Sequence, residues 1–105
     1  MLEKLKEIIS RYKKIESKMS EPDLVKDQNR YKQITKEHRR LIPIVQKSEK
    51  FINITNQIKE NSEIIKIDED EEIKDLAKEE NELLSSSLIE LEEELKILIL
   101  PHDPT

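Results

Sequence analysis

The 105-residue chain contains no glycine, no cysteine and no tryptophan, and only 3% of its residues are aromatic. Without glycine it cannot form a phosphate-binding loop, a dinucleotide-binding fingerprint or a glycine-based hairpin turn. Without cysteine it has no disulfide and no thiolate metal site, which suits a reducing cytosol. No apolar run approaches the ~20 residues that span a bilayer, and residues 1–10 interleave charge with apolar side chains, unlike a secretory signal. We therefore expect a cytoplasmic protein with no membrane partner.

Charged side chains make up 41% of the chain, and hydrophobic ones 34%. Residues 1–66 hold 16 Lys/Arg against 10 Asp/Glu, whereas residues 67–105 hold 3 against 14. Such asymmetry is typical of a chain with a nucleic-acid-facing part beside an acidic part. It is equally typical of oppositely charged helices that lie side by side, so both interpretations stay open.

The apolar residues, mostly Ile and Leu, recur at helical spacing in three segments, over residues 2–19, 28–65 and 73–98. This regularity favours helix over disorder despite the high charge. No segment alternates like a strand. Long helices joined by short turns predict an all-α fold, an elongated antiparallel helical bundle or coiled-coil hairpin of about three helices, with the basic second helix against the acidic third.

The helix boundaries have sequence signals of their own. Pro22 cannot continue the first helix, and Asp27 is a predicted N-cap of the second, with a short turn between them. Pro43 lies inside the second helix, where we expect a kink or, less readily, a break. The predicted second turn spans residues 67–72, and the last members of its acidic run, residues 68–72, suit the start of the third helix.

No catalytic or metal site is apparent. The two histidines, His38 and His102, lack both the Glu-x-x-His and the paired-histidine spacing of metal sites, and His38 is predicted to be a half-buried structural residue. Paired carboxylates such as Glu79-Glu80 fall on solvated helix faces, where nothing marks one as an acid or a base. We expect no cofactor, no metal and no small-molecule substrate.

A basic cluster lies on the second helix. Spacings of three, four and seven residues put its members on one side, opposite the apolar seam, where they could neutralise several phosphates. The alternative is a solvated face that binds nothing. The tyrosines, Tyr12 and Tyr31, are expected to pack rather than to stack on bases. The candidate RNA-facing residues are Lys32, Lys36, Arg39 and Arg40, with Lys47 and Lys50 farther along.

Three stretches go beyond composition and periodicity, because their order and spacing are specific. They are Ser20-Glu21-Pro22-Asp23 with Asp27-Gln28-Asn29-Arg30-Tyr31; Lys36-Glu37 with Leu41 and Ile44-Val45; and Asp75-Leu76-Ala77-Lys78-Glu79-Glu80, Leu91-Glu92 and Leu98-Ile99-Leu100-Pro101-His102-Asp103-Pro104. In this order they resemble the N-terminal helical domain of the bacterial type-1 class I peptide chain release factors. His102, where the family usually has lysine, and Pro43 depart from that pattern.

The resemblance implies an N-terminal helical domain over residues 1–100 and the start of a linker over residues 101–105. The family's codon-reading and catalytic domains would then lie beyond Thr105. Whole factors of this family recognise UAA or UAG on the ribosome and promote peptidyl-tRNA hydrolysis through a Gly-Gly-Gln loop, which a glycine-free chain lacks. The resemblance therefore implies a non-enzymatic domain that docks toward the stalk-base ribosomal RNA and protein, with a recycling GTPase as a further partner.

Two other functions fit the residues. One is a structural coiled coil, such as a spacer or a prefoldin-like hairpin, and the other is the helical tRNA-binding arm of a tRNA ligase. The end of the third helix is also too apolar to be wholly exposed, at Leu95, Ile97, Leu98, Ile99 and Leu100. These residues could rest against a further domain or pair with another copy of the chain, and the second alternative predicts self-association.

Overall fold

The computed structural model describes residues 1–100, and the predicted linker over residues 101–105 lies outside them. The described residues form four helices and no strand, so the all-α prediction is confirmed. None of the described helices is long and apolar enough to cross a membrane. The helices are α1 (Leu2–Met19), α2 (Pro22–Lys26), α3 (Gln28–Ile67) and α4 (Glu71–Ile99).

The short segment between α1 and α3, predicted as a turn, is the five-residue helix α2. Pro22 is its first residue, where the missing N–H costs no helical hydrogen bond. Asp27 caps α3, since its Oδ1 accepts the backbone N–H of Arg30 at 3.3 Å, as predicted. These two residues explain why the chain changes direction here without a glycine.

Pro43 interrupts the hydrogen-bond ladder of α3 but not the helix, which is continuous from Gln28 to Ile67. Of the two alternatives expected at Pro43, a kink or a break, the continuous helix excludes the break. Proline removes the donor that would bond the carbonyl of Arg39. Pro43 and Arg39 are both exposed, and the helix continues through the position of the lost hydrogen bond.

The chain divides into two compact units, the first of which spans Met1–Ser48. An ion pair between Arg11 and Glu37 joins α1 to α3 within this unit. Ser48 is fully buried, and its hydroxyl donates to the carbonyl of Ile44 at 2.7 Å. The only buried polar side chain among residues 1–100 is therefore satisfied within its own helix. The buried apolar side chains are Leu5, Ile15, Leu24, Leu41, Ile44 and Val45.

The second unit, from residue 49 onward, is an antiparallel hairpin of the remaining part of α3 and of α4. Asn61 Nδ2 donates to Asn81 Oδ1 at 3.0 Å, and Asn81 Nδ2 lies 3.4 Å from the carbonyl oxygen of Ile58 and 3.5 Å from the hydroxyl of Ser62. These contacts tie the two helices together at one register. The buried side chains are Phe51, Ile54, Ala77, Leu91 and Leu95.

Carboxylates build the turn between α3 and α4. Asp68 Oδ1 accepts the N–H of Asp70, and Asp70 Oδ1 accepts the N–H of Glu72, both at 2.9 Å. Asp70 is the N-cap of α4, and Glu71 and Glu72 occupy its first turn, where the helix dipole favours negative charge. The turn is narrower than predicted, because Ile67 still belongs to α3 and Glu71 already belongs to α4.

The apolar pattern predicted more buried residues than the structure has. Ile73, Leu76 and Leu83 of α4 are exposed despite their helical spacing. In the second unit α3 buries Phe51 and Ile54. Three other residues at heptad-like spacing within the predicted helix over residues 28–65 are only half-buried: Ile52, Thr55 and Ile58. Each part of α3 packs against a different helix, so one heptad seam cannot describe its whole length.

Candidate nucleic-acid interface

The first half of α3 carries all four candidate residues. Lys32, Lys36, Arg39 and Arg40 are exposed, and at 3.6 residues per turn they fall within an arc of about 100°. On the same scale, the buried Leu41 lies on the opposite side of the helix. The helix therefore presents the four cations together, on a face that its core packing leaves free.

No carboxylate among residues 1–100 lies within ion-pair distance of these four cations. Glu37 is the only acidic residue between Gln28 and Ser48, and Arg11 of α1 already holds it. All of the positive excess of residues 1–66 lies in the first unit, because residues 49–66 hold three Lys against three Glu. The basic face therefore belongs to one compact unit, and no ion pair within residues 1–100 neutralises its charge.

A shallow groove of about 240 Å³ runs along this face. It brings together three of the four candidate residues, and Arg40 does not line it. Of the two cations farther along α3, Lys47 is half-buried and engaged in a contact, and Lys50 lies in the second unit. The groove is lined by Tyr31, Lys32, Thr35, Lys36 and Arg39.

His38 is structural, as predicted. Its side chain is 20% exposed, its ring stacks on Tyr12 with centroids 4.8 Å apart at 17°, and its Nε2 lies 3.8 Å from Glu16 Oε2. The Tyr12 and Glu16 contacts both come from α1. His38 therefore helps to hold α1 against α3 beneath the basic face.

The acidic residues of α4 form no comparable site. Glu92 and Glu93 pair with Lys96 at 3.6 and 3.7 Å, and Glu71 pairs with Lys74 at 3.6 Å, all within the same helix. Within residues 1–100, no three His, Asp or Glu side chains come together as a metal-binding group would require. The acidic Asp68 and Asp70 are used as caps in the turn.

Sequence reasoning missed two arrangements. It treated Tyr31 as a packing residue, whereas the structure leaves it half-buried at the edge of the groove. It also did not find the hydrogen-bonded pair of Asn61 and Asn81, although each interrupts the apolar pattern of its helix with a short amide. That interruption was the available signal.

Residues 8–105 match the PCRF domain family. The chain is similar to curated proteins named "Peptide chain release factor 1". It is 44% identical over 101 residues to that of Sulfurovum sp. (strain NBC37-1) and 40% identical over 104 residues to that of Clostridioides difficile (strain 630). It is 36% identical over 104 residues to that of Lactobacillus johnsonii (strain CNCM I-12250 / La1 / NCC 533).

These matches cover 96%, 99% and 99% of this chain but only 28%, 29% and 29% of those proteins, respectively, so the chain spans less than a third of their length. No solved structure matches the chain significantly. The family match extends over nearly the whole chain and agrees with the resemblance read from its motifs. The chain belongs to the PCRF domain family.

Proposed function

We propose that this chain serves in translation termination, as the helical domain of a peptide chain release factor that reads UAA or UAG and promotes peptidyl-tRNA hydrolysis. Its own part is to dock on the ribosome near the stalk base. The residues that contact ribosomal RNA are Lys32, Lys36, Arg39 and Arg40. The family membership and the names of its relatives support the process, and the basic face of α3 supports the role.

The observation that carries the docking role is the absence of any carboxylate partner, among residues 1–100, for the four exposed cations. An exposed cation can instead pair with carboxylates of its own helix, as Lys96 of α4 does with Glu92 and Glu93. A row of unpaired cations instead attracts a polyanion, and each phosphate neutralised releases a counterion.

The chemistry of termination belongs elsewhere in such a factor. The chain has no glycine and so no Gly-Gly-Gln loop, and its histidine in the described part is committed to the stack with Tyr12. Residues 101–105 then begin a linker to other domains. The acidic face of α4 suits a basic ribosomal protein or a recycling GTPase, and the site of action is the cytoplasm.

A charge-reversal experiment tests this function. Lys36→Glu with Arg40→Glu reverses two charges of the exposed face without touching the core, so the fold should survive. We expect full-length factor with both changes to bind stop-codon ribosomes more weakly and with a shallower salt dependence, with an unchanged rate of peptide release at saturation.

The matched control is Lys59→Glu with Lys66→Glu, which changes the net charge equally but on exposed positions of the second unit. It should bind like the parent factor. Equal affinities and equal salt slopes for the Lys36/Arg40 variant and the parent would refute docking through this face. Such a result would favour a purely structural helical hairpin.

A further inference from the structure

Tyr31 adds an aromatic surface to the basic face. On α3 it is followed one turn later by Thr35, and the Lys32–Lys36 row runs beside this pair. Together with Arg39 these residues line the groove of about 240 Å³. The groove therefore joins two surfaces of different chemistry, a row of cations and the ring of a tyrosine.

The two tyrosine rings have different neighbours. The ring of Tyr12 is occupied, because His38 stacks on it. Tyr31 is half-buried, and no hydrogen bond within residues 1–100 uses its hydroxyl group. The neighbouring Thr35 donates its hydroxyl to the carbonyl of Tyr31 at 2.8 Å, so Thr35 is already satisfied. Tyr31 is therefore the side chain of the groove that has both an open ring surface and a free polar group.

We propose that this groove binds one unpaired nucleotide of RNA, its base against the ring of Tyr31 and its flanking phosphates on Lys32, Lys36 and Arg39. This proposal rests on the proposed function and specifies that the basic face binds unpaired RNA. Lys32 and Arg39 are separated by about 10 Å along the helix axis, which allows contacts on both sides of one nucleotide.

The aromatic ring is what selects unpaired RNA. Cations alone bind duplex and single strands through phosphates, without reading the bases. The bases of an A-form duplex are stacked and paired, and side chains cannot enter its narrow major groove, whereas an unpaired base can turn outward and stack on an aromatic ring. A groove with both features should therefore prefer loops and bulges.

The test compares two fluorescently labelled RNAs with the same number of phosphates, a stem–loop and a blunt duplex, by anisotropy at two salt concentrations. Tyr31→Leu keeps an apolar side chain but removes the aromatic ring, and Tyr31→Phe keeps the ring but removes the hydroxyl. Tyr12→Leu is the matched control, because Tyr12 is also half-buried and its ring is occupied. Circular dichroism checks that every variant is folded.

We expect the parent chain to prefer the stem–loop, and Tyr31→Leu to lower stem–loop affinity about tenfold, as loss of one stacked base does. Its duplex affinity and its salt slope should stay unchanged, since all cations remain. Tyr31→Phe and Tyr12→Leu should bind the stem–loop within about twofold of the parent, because the former retains the stacking surface and the latter leaves the groove intact.

Several results would overturn the proposal: equal affinity of the parent for both RNAs, no effect of Tyr31→Leu, a parallel loss on both RNAs, or binding of a polyglutamate peptide as tight as that of the stem–loop. Failure of the proposed function has a different pattern. In that case Lys36→Glu with Arg40→Glu would leave the binding of both RNAs unchanged. If that charge reversal weakens binding but Tyr31→Leu does not, only the nucleotide groove is refuted.

Discussion

Substituting Leu95 and Leu83 by alanine, one at a time, compares the stability contributed by a buried and by an exposed leucine of α4. Both leucines belong to the apolar pattern of one helix, twelve positions apart. Leu95 has no exposed surface, whereas Leu83 is 73% exposed. Helical spacing predicts that both leucines are buried, whereas the structure buries only Leu95. The stabilities of Leu95→Ala and Leu83→Ala distinguish these two predictions.

The expected magnitudes differ widely. A buried Leu→Ala substitution lowers the free energy of unfolding by about 2–5 kcal/mol, because the removed methyl groups no longer contribute their burial and a cavity remains. At Leu83 the side chain meets water in both folded and unfolded states, and alanine has the higher helix propensity, so the change should stay within about 0.5 kcal/mol. Against a total stability of about 5–15 kcal/mol, the first loss is large and the second negligible.

Urea unfolding followed by far-ultraviolet circular dichroism measures both changes. With an m-value of about 1.5 kcal/mol/M, a loss of about 3 kcal/mol at Leu95 lowers the midpoint by about 2 M. The midpoint of Leu83→Ala should move by less than about 0.4 M on the same scale. Equal shifts in the two variants, or a larger shift at Leu83, would refute the assignment of the α4 core.

Three further predictions concern single contacts. Asp70→Ala removes the N-cap of α4 and should cost about 1 kcal/mol in urea unfolding, whereas Glu69→Ala, at an exposed neighbour, should cost almost nothing. Asn81→Ala deletes the inter-helix hydrogen bonds and should cost about 1–2 kcal/mol; an unchanged midpoint would mean that they add nothing to stability. Because Ile97 and Leu100 are 71% and 64% exposed, we expect concentration-dependent association in light scattering, which Ile97→Glu should abolish; a monomer at every concentration would contradict this.

The helix ends were the most predictable part of the fold, because each has a local chemical cause. Pro22 follows the end of α1, Asp27 caps α3, and the acidic run contains Asp70, the cap of α4. Such signals depend on residues within a few positions of one another, so they can be read from a single sequence. At Pro43 the sequence left a kink and a break as alternatives, and only the structure shows that α3 is continuous there.

The buried set and the groove were less predictable, because both depend on distant parts of the chain. Helical spacing identifies the apolar side of a helix but not how much of that side a neighbouring helix covers. Leu83 and Leu95 were therefore both expected to be buried. The shared basic face of Lys32, Lys36 and Arg39 follows from spacing alone. Spacing does not show that these cations lack an ion-pair partner. That requires the structure, in which Arg11 holds Glu37 and no other carboxylate of residues 1–100 reaches them.

The three-residue turn between α3 and α4 also sets the order in which the second unit can fold. Its closing loop is short, so the ends of the two helices meet at little entropic cost, and pairing can then spread outward from Asp70 toward Asn61 and Asn81. The residues of the turn would be formed early in the transition state, and Leu95, at the far end of the hairpin, late. Asp70→Ala should therefore mainly slow folding, whereas Leu95→Ala should mainly speed unfolding.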